Sequence, residues 1–110
     1  MINFFSTGTK RSYSDFKKQI PSQIQSLFDS LREYCFSLGD NVVEDVRMHR
    51  MVFAKSITFR WFADIEPEKE SVILKIQKNR KEPQIVIQVK PDESLEKVKQ
   101  VLKDAYDKIH

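Results

Sequence analysis

Residues Phe59 to Ile76 read FRWFADIEPEKESVILKI, and this stretch decides the fold. It contains two runs rich in aromatic and β-branched residues, separated by a charged turn. Proline cannot donate to a central ladder, so Pro67 ends the first run. The spacing predicts one strand over Phe59–Glu66 and another over Ser71–Gln77. In the second, Val72, Leu74 and Ile76 share one face, with Ile73, Lys75 and Gln77 on the other. In the first, alternation groups Trp61 with Phe59, Ala63 and Ile65 and predicts that Trp61 enters the core. Phe62 then shares the opposite face with Arg60. What lies against Phe62 is the question this segment poses: the N-terminal arm, a second chain or a nucleic-acid base.

Two further strands flank the pair. Met51–Ile57 precedes it. Gln84–Lys90 follows the polar turn Asn79–Pro83, with Ile85, Ile87 and Val89 pointing inward and Val86 outward. Short connectors between alternating strands indicate an antiparallel meander. A helix precedes the strands. Pro21 and Ser22 open it, and Gln25, three residues after Ser22, completes a capping-box pattern. Ile24, Leu27, Phe28, Leu31, Cys35 and Leu38 follow as an apolar stripe. Gly39 stands where a left-handed C-cap is expected. Val42, Val43 and Val46 then sit in an acidic connector, read as one helical turn. A second helix opens at Pro91–Ser94, capped by Asp92 or Ser94, and buries Leu95, Val98, Leu102, Ala105, Tyr106 and Ile109. The expected fold is α+β: a four-stranded antiparallel sheet with an N-terminal and a C-terminal helix packed on one face. Residues 1–20 are expected to form a basic arm, with Tyr13, Phe16 and Ile20 docking as a short helix. Residues 21–110 are expected to form one domain.

The chain has 110 residues, of which 40% are hydrophobic and 32% charged, enough for one core without disulfides or metal. It has a single cysteine, Cys35. That excludes an internal disulfide and suits a reducing cytoplasm. No apolar run approaches the roughly 20 residues of a membrane span, and Met1–Phe5 lacks the features of a signal peptide. The net charge of +3 is unevenly distributed. Residues 21–46 carry one Arg against five acids, whereas residues 47–90 carry ten Lys/Arg against five acids. Such a field can steer an anionic partner.

No motif carries chemistry. With two histidines and one cysteine, the chain lacks a zinc ligand set. Cys35 lies on the helix stripe and reads as a buried thiol. Glu66, Glu68 and Glu70 surround Lys69 in a turn that reads as solvated. Gly8 and Gly39 are the only glycines, so there is no glycine-rich phosphate loop. Neither a catalytic residue nor a cofactor nor a metal is expected. The candidate interaction residues are Lys10, Arg11, Lys55, Arg60, Phe62, Lys75, Lys78, Arg80 and Lys81. A basic, aromatic sheet face could stack bases and track phosphates of DNA or RNA.

Ser37–Val46 (SLGDNVVEDV), the FRWFADIEPEKESVILKI segment and the closing SLEKVKQVLKDAYDKI helix together resemble an uncharacterised bacterial and archaeal small-domain family, often labelled "predicted transport protein". Phe62, Ala63, Asp64, Ile65, Pro67 and Lys69 match its strand-and-turn pattern. The family's domain commonly stands at the C-terminus of longer proteins, some of them similar to endonucleases or restriction-associated proteins. The resemblance implies an accessory role near nucleic-acid processing, with no catalytic residues to carry over. One departure is the loop from about Lys78 to Pro83, where members carry a longer insertion rich in Gly and Asp. The expected function is a non-enzymatic protein-interaction or self-association module, a homodimer or a partner of another protein, without a membrane. The alternative is nucleic-acid binding.

Overall fold

The computed structural model describes residues 12–56, 60–79 and 81–109. The chain forms a short helix α1 (Tyr13–Lys17), a 3-10 turn (Ser22–Ile24) and helix α2 (Gln25–Ser37). Strands β1 (Val42–Val46), β2 (Met51–Lys55), β3 (Trp61–Pro67), β4 (Val72–Ile76) and β5 (Ile85–Val89) follow, and helix α3 (Glu96–Lys108) closes the fold. The α+β class and the antiparallel meander agree with the sequence. The sheet has five strands rather than four, in the order β1-β2-β3-β4-β5. The additional strand is β1, read from sequence as a helical connector. Its acids Glu44 and Asp45 lower its apparent strand character. Pairing with β2 overrides that: Val42 stands opposite Lys55 and Val46 opposite Met51.

Both long helices cover one face of the sheet. Phe36 of α2 meets Phe53 edge-on at 5.7 Å. Tyr106 of α3 lies under the Lys55 ammonium at 4.3 Å. Phe53 and Lys55 are alternate residues of β2 and so share that face. The core between the layers holds Phe28, Leu31 and Cys35 from α2, Leu102 and Ala105 from α3, and Met51, Phe53, Ile65, Leu74 and Ile76 from the sheet, all fully buried.

Helix α1 packs on α2. Ser12 caps it by accepting the Asp15 N–H at 3.1 Å. Phe16 is buried and stands 5.7 Å from Phe28, and Ile20 is buried beside them. Tyr13 and Lys17 both donate to Asp29, the latter at 2.7 Å. Burial raises the Asp29 carboxyl, but these donors outweigh it and hold the pKa below the ordinary carboxylate range. Arg32 lies 4.1 Å above the Tyr13 ring and forks onto Glu44 of β1 at 2.8 and 3.0 Å. This planar two-point contact is suited to guanidinium and carboxylate, and it ties the helix layer to β1.

Two local expectations are corrected. Ser22 does not cap α2. The 3-10 turn intervenes, and no side-chain cap bond forms at either N-terminus. Gln25 instead donates to the Ile20 carbonyl at 3.0 Å, tying the helix start to the end of the arm. Gly39 is not in the left-handed region. It is needed for space: a Cβ there would overlap the Tyr106 hydroxyl and come within 3.0 Å of the ring carbon that bears it. At the start of α3, Ser94 acts as one of the two expected caps: its hydroxyl accepts the Glu96 N–H at 3.3 Å, with Leu95 between them. The residues upstream make a turn in which Glu93 accepts the Lys90 N–H at 2.8 Å.

The largest correction concerns Trp61 and Phe62. Phe53 of β2 pairs with Ala63, but the next residue, Ala54, pairs with Trp61. Phe62 is the extra residue of a β-bulge. A bulge turns two consecutive side chains toward one side, so Phe62 and Ala63 both enter the core, each 0% exposed. The alternation upstream is thereby inverted, and half-buried Trp61 faces outward beside Ala54. Phe62 stacks edge-on against Tyr106 with centroids 5.4 Å apart. The ring expected on an uncovered face lies under α3.

Candidate interaction surface

The helix layer leaves the outer face of the sheet uncovered among the described residues. Alternation from the core positions places a cross-strand row on that face: Val52, Asp64, Lys75 and Val86 stand side by side across β2 to β5. Val43, Ala54 and Trp61 form a neighbouring row, and Glu66, Ile73 and Gln88 another. The face is mixed. Val86 is 61% and Val43 38% exposed, while Ala54, Trp61 and Ile73 are half-buried. Gln88 donates to the Ser71 hydroxyl at 2.9 Å.

Asp64 is the charged residue most deeply set in this face, its side chain 14% exposed. Burial raises its pKa above the ordinary range, against the opposing pull of Arg50 and Lys75. Arg50 reaches it at 3.7 Å. Arg50 also lines a shallow depression of about 320 Å³ at the β1–β2 turn, with Arg47, Met48, His49 and Glu66. Arg47 is paired there with Asp45 at 3.0 Å. A second depression, of about 440 Å³, lies between Tyr13, Ser14, Lys17, Lys18 and Gln25.

The residues singled out from sequence do not converge. Lys55 lies on the helix side, where its ammonium donates to the Ile109 carbonyl at 2.7 Å. Lys78 is drawn to Asp104 of α3 at 2.9 Å. Arg60 precedes β3, and its carbonyl accepts the Lys55 N–H at 3.1 Å. Lys81 is exposed in the β4–β5 connection, where its N–H is held by the Asn79 side chain at 2.8 Å. Lys75 alone of the described basic candidates stands within the outer-face rows. Phe62 is in the core. Lys10, Arg11 and Arg80 lie outside the described residues.

Sequence reasoning missed Trp61, Val43 and Arg50 as residues of this surface. Trp61 was hidden by the bulge and Val43 by the reading of β1 as a connector. Arg50 had a signal, since Arg47-Met48-His49-Arg50 is a polar turn between two apolar runs.

The acidic turn after β3 is closed by Glu68 N–H to the Ser71 carbonyl at 2.8 Å and tethered by Gln23, which donates to the Lys69 carbonyl at 2.6 Å. Glu68 and Glu70 are exposed. Among the described residues no group of three or more His, Cys, Asp or Glu side chains is placed to hold a metal ion. No described helix is long and apolar enough to cross a membrane. Comparison with protein-family models, curated proteins and solved structures finds no match to this chain.

Proposed function

We propose that this protein is a small non-enzymatic interaction module that works by self-association. The observation carrying this reading is the one-sided layering. All three described helices lie on one side of the sheet, and the other side presents Trp61, Val43, Ile73 and Val86 with no element over them among the described residues. Apolar groups on this face alternate with Asp64 and Lys75, a mixture of apolar and charged surface like that of a non-obligate interface. The charges on this face have both signs, with Asp45, Asp64 and Glu66 toward β1 to β3 and Lys75 on β4. A two-fold copy can therefore set acids against a lysine, as an isologous contact requires. A lone buried thiol suits a cytoplasmic setting.

Sedimentation equilibrium from low to high micromolar concentration tests the reading. The expected result is a concentration-dependent dimer, and a monomer throughout overturns it. Nucleic-acid binding is the competing reading. It loses support because Lys55, Lys78 and Phe62 are engaged on the helix side. Labelled single- and double-stranded DNA and RNA at low salt, where phosphate contacts are strongest, are expected to show no binding. Salt-sensitive binding would move the assignment to that alternative.

A further inference from the structure

The two edges of the sheet differ, and the difference points to one of them. Gln77 donates its N–H to the Phe62 carbonyl of β3 at 3.1 Å. Backbone direction alternates along a strand, so Ile73 and Lys75 also face β3. Val72, Leu74 and Ile76 then face β5, opposite Val89, Ile87 and Ile85. It follows that Gln84, Val86 and Gln88 aim their N–H and C=O groups away from the sheet. Lys90, next in this series, is satisfied within the chain: its N–H goes to Glu93 at 2.8 Å and its carbonyl accepts the Glu93 N–H at 3.1 Å. Among the described residues no strand pairs with the outer side of β5.

Native edge strands are usually blunted by lysine, proline or a bulge. Gln84–Val89 carries no charge, proline or glycine. The opposite edge is different. Ser56 N–H to the Asn41 carbonyl and Arg47 N–H to the Arg50 carbonyl set the odd residues of β1 toward β2, so Val42, Glu44 and Val46 face outward. Antiparallel self-pairing centred there would place Glu44 against Glu44, each already held in a two-point contact by Arg32 of its own chain.

We infer that two copies join antiparallel through β5, centred on Val86, into one continuous sheet. This inference rests on the self-association reading but places the contact at the free β5 edge rather than over the outer face of the sheet. In this register Val86 meets the second copy's Val86, and Gln84 meets its Gln88. Each of these residues exchanges both backbone hydrogen bonds with its opposite. Ile85 lies against Ile87 on the helix side. Glu82 falls opposite Lys90 at both ends, so the only charges at the margin are complementary. Among the described residues each chain offers one such edge, and the two-fold closes the assembly as a dimer rather than a fibre. The contact is short beside the roughly 800 Å² per partner of a standard interface, so the dimer is a weak one.

The test is sedimentation equilibrium of the full chain and its variants. Val86→Lys leaves the β4 ladder untouched but sets two ammonium groups face to face. It is expected to weaken the dimer at least about fivefold. Val86→Glu behaves likewise, and an equimolar mixture of the two variants recovers association. Val86→Thr keeps the wild-type constant within about twofold. A wild-type monomer overturns both the interface and the self-association reading. A dimer that tolerates Val86→Lys but is lost in Trp61→Gln keeps self-association and overturns the β5 interface. Weakening by Val86→Lys without recovery in the mixture overturns the register centred on Val86. Circular dichroism of each variant separates loss of pairing from loss of fold.

Discussion

The ring of Phe62 stands edge-on to the ring of Tyr106, with centroids 5.4 Å apart and planes at 79°. A residue displaced by a bulge in β3 thus anchors α3 to the sheet. Edge-to-face pairs contribute about 0.5–1.5 kcal/mol beyond the area they bury. Phe62→Ala is expected to destabilise the fold by about 3–5 kcal/mol, the range for a large buried side chain. Trp61→Ala, one residue away on the half-buried outer face, is expected to cost less than half as much. Urea unfolding of both variants measures the difference. Equal costs would mean that the bulge does not sort the two rings as described.

Tyr106 also explains Gly39. Because a Cβ at position 39 would overlap the tyrosine hydroxyl, Gly39→Ala forces the ring or the α2–β1 turn to shift. The expected cost is about 1–3 kcal/mol, typical of overpacking. Combining it with Tyr106→Phe removes the overlapping oxygen. The double variant should then be more stable than the sum of the single effects by at least about 0.5 kcal/mol. Strict additivity would place the origin of the glycine elsewhere.

Asp64 gives a pH dependence of definite sign. Its folded pKa is raised above the ordinary 3.8, because burial disfavours the charge more than Arg50 and Lys75 favour it. The folded chain therefore binds this proton more tightly than the unfolded chain. Its contribution to stability is full below the unfolded pKa and is lost as pH rises through the folded pKa. Asp64→Asn is expected to be more stable than wild type at neutral pH, with the advantage disappearing on acidification below about pH 4. Urea midpoints at the two pH values decide it. A variant that is less stable at neutral pH would show that the Arg50 contact dominates instead.

Cys35 is 0% exposed on α2, and burial pushes its thiol up to about 12. The thiolate is the reactive form. The native protein should therefore resist Ellman's reagent near neutral pH and react only as fast as it opens. Labelling should rise steeply across the urea transition. Rapid, stoichiometric reaction of the native chain would contradict the packing of α2 on the sheet.

Much of the fold was legible in sequence because it rests on local periodicity. The stripe from Ile24 to Cys35 and the period-two run Val72–Ile76 bury the residues their spacing selects, and the stripe from Val98 to Ile109 does so with Tyr106 half-buried. Strand β1 was not legible. Glu44 suits a strand there because Arg32, twelve residues away on α2, forks onto its carboxylate. The local window contains no trace of that partner. The candidate surface was less legible still. Lys55 and Lys78 read as free basic residues, yet their partners, the Ile109 carbonyl and Asp104, come from a helix placed over them only by folding.

By itself, the sequence determined both long helices, four of the five strands and their antiparallel order. It also determined that one of two adjacent rings would be buried, since strand neighbours diverge. Which ring that is was decided only by tertiary structure. Alternation has two phases, and the chain passes from one to the other where β3 accommodates an extra residue against Phe53 and Ala54. The position of a bulge depends on registry with a neighbouring strand and on the space beneath Tyr106. Both are relations between residues far apart in the chain.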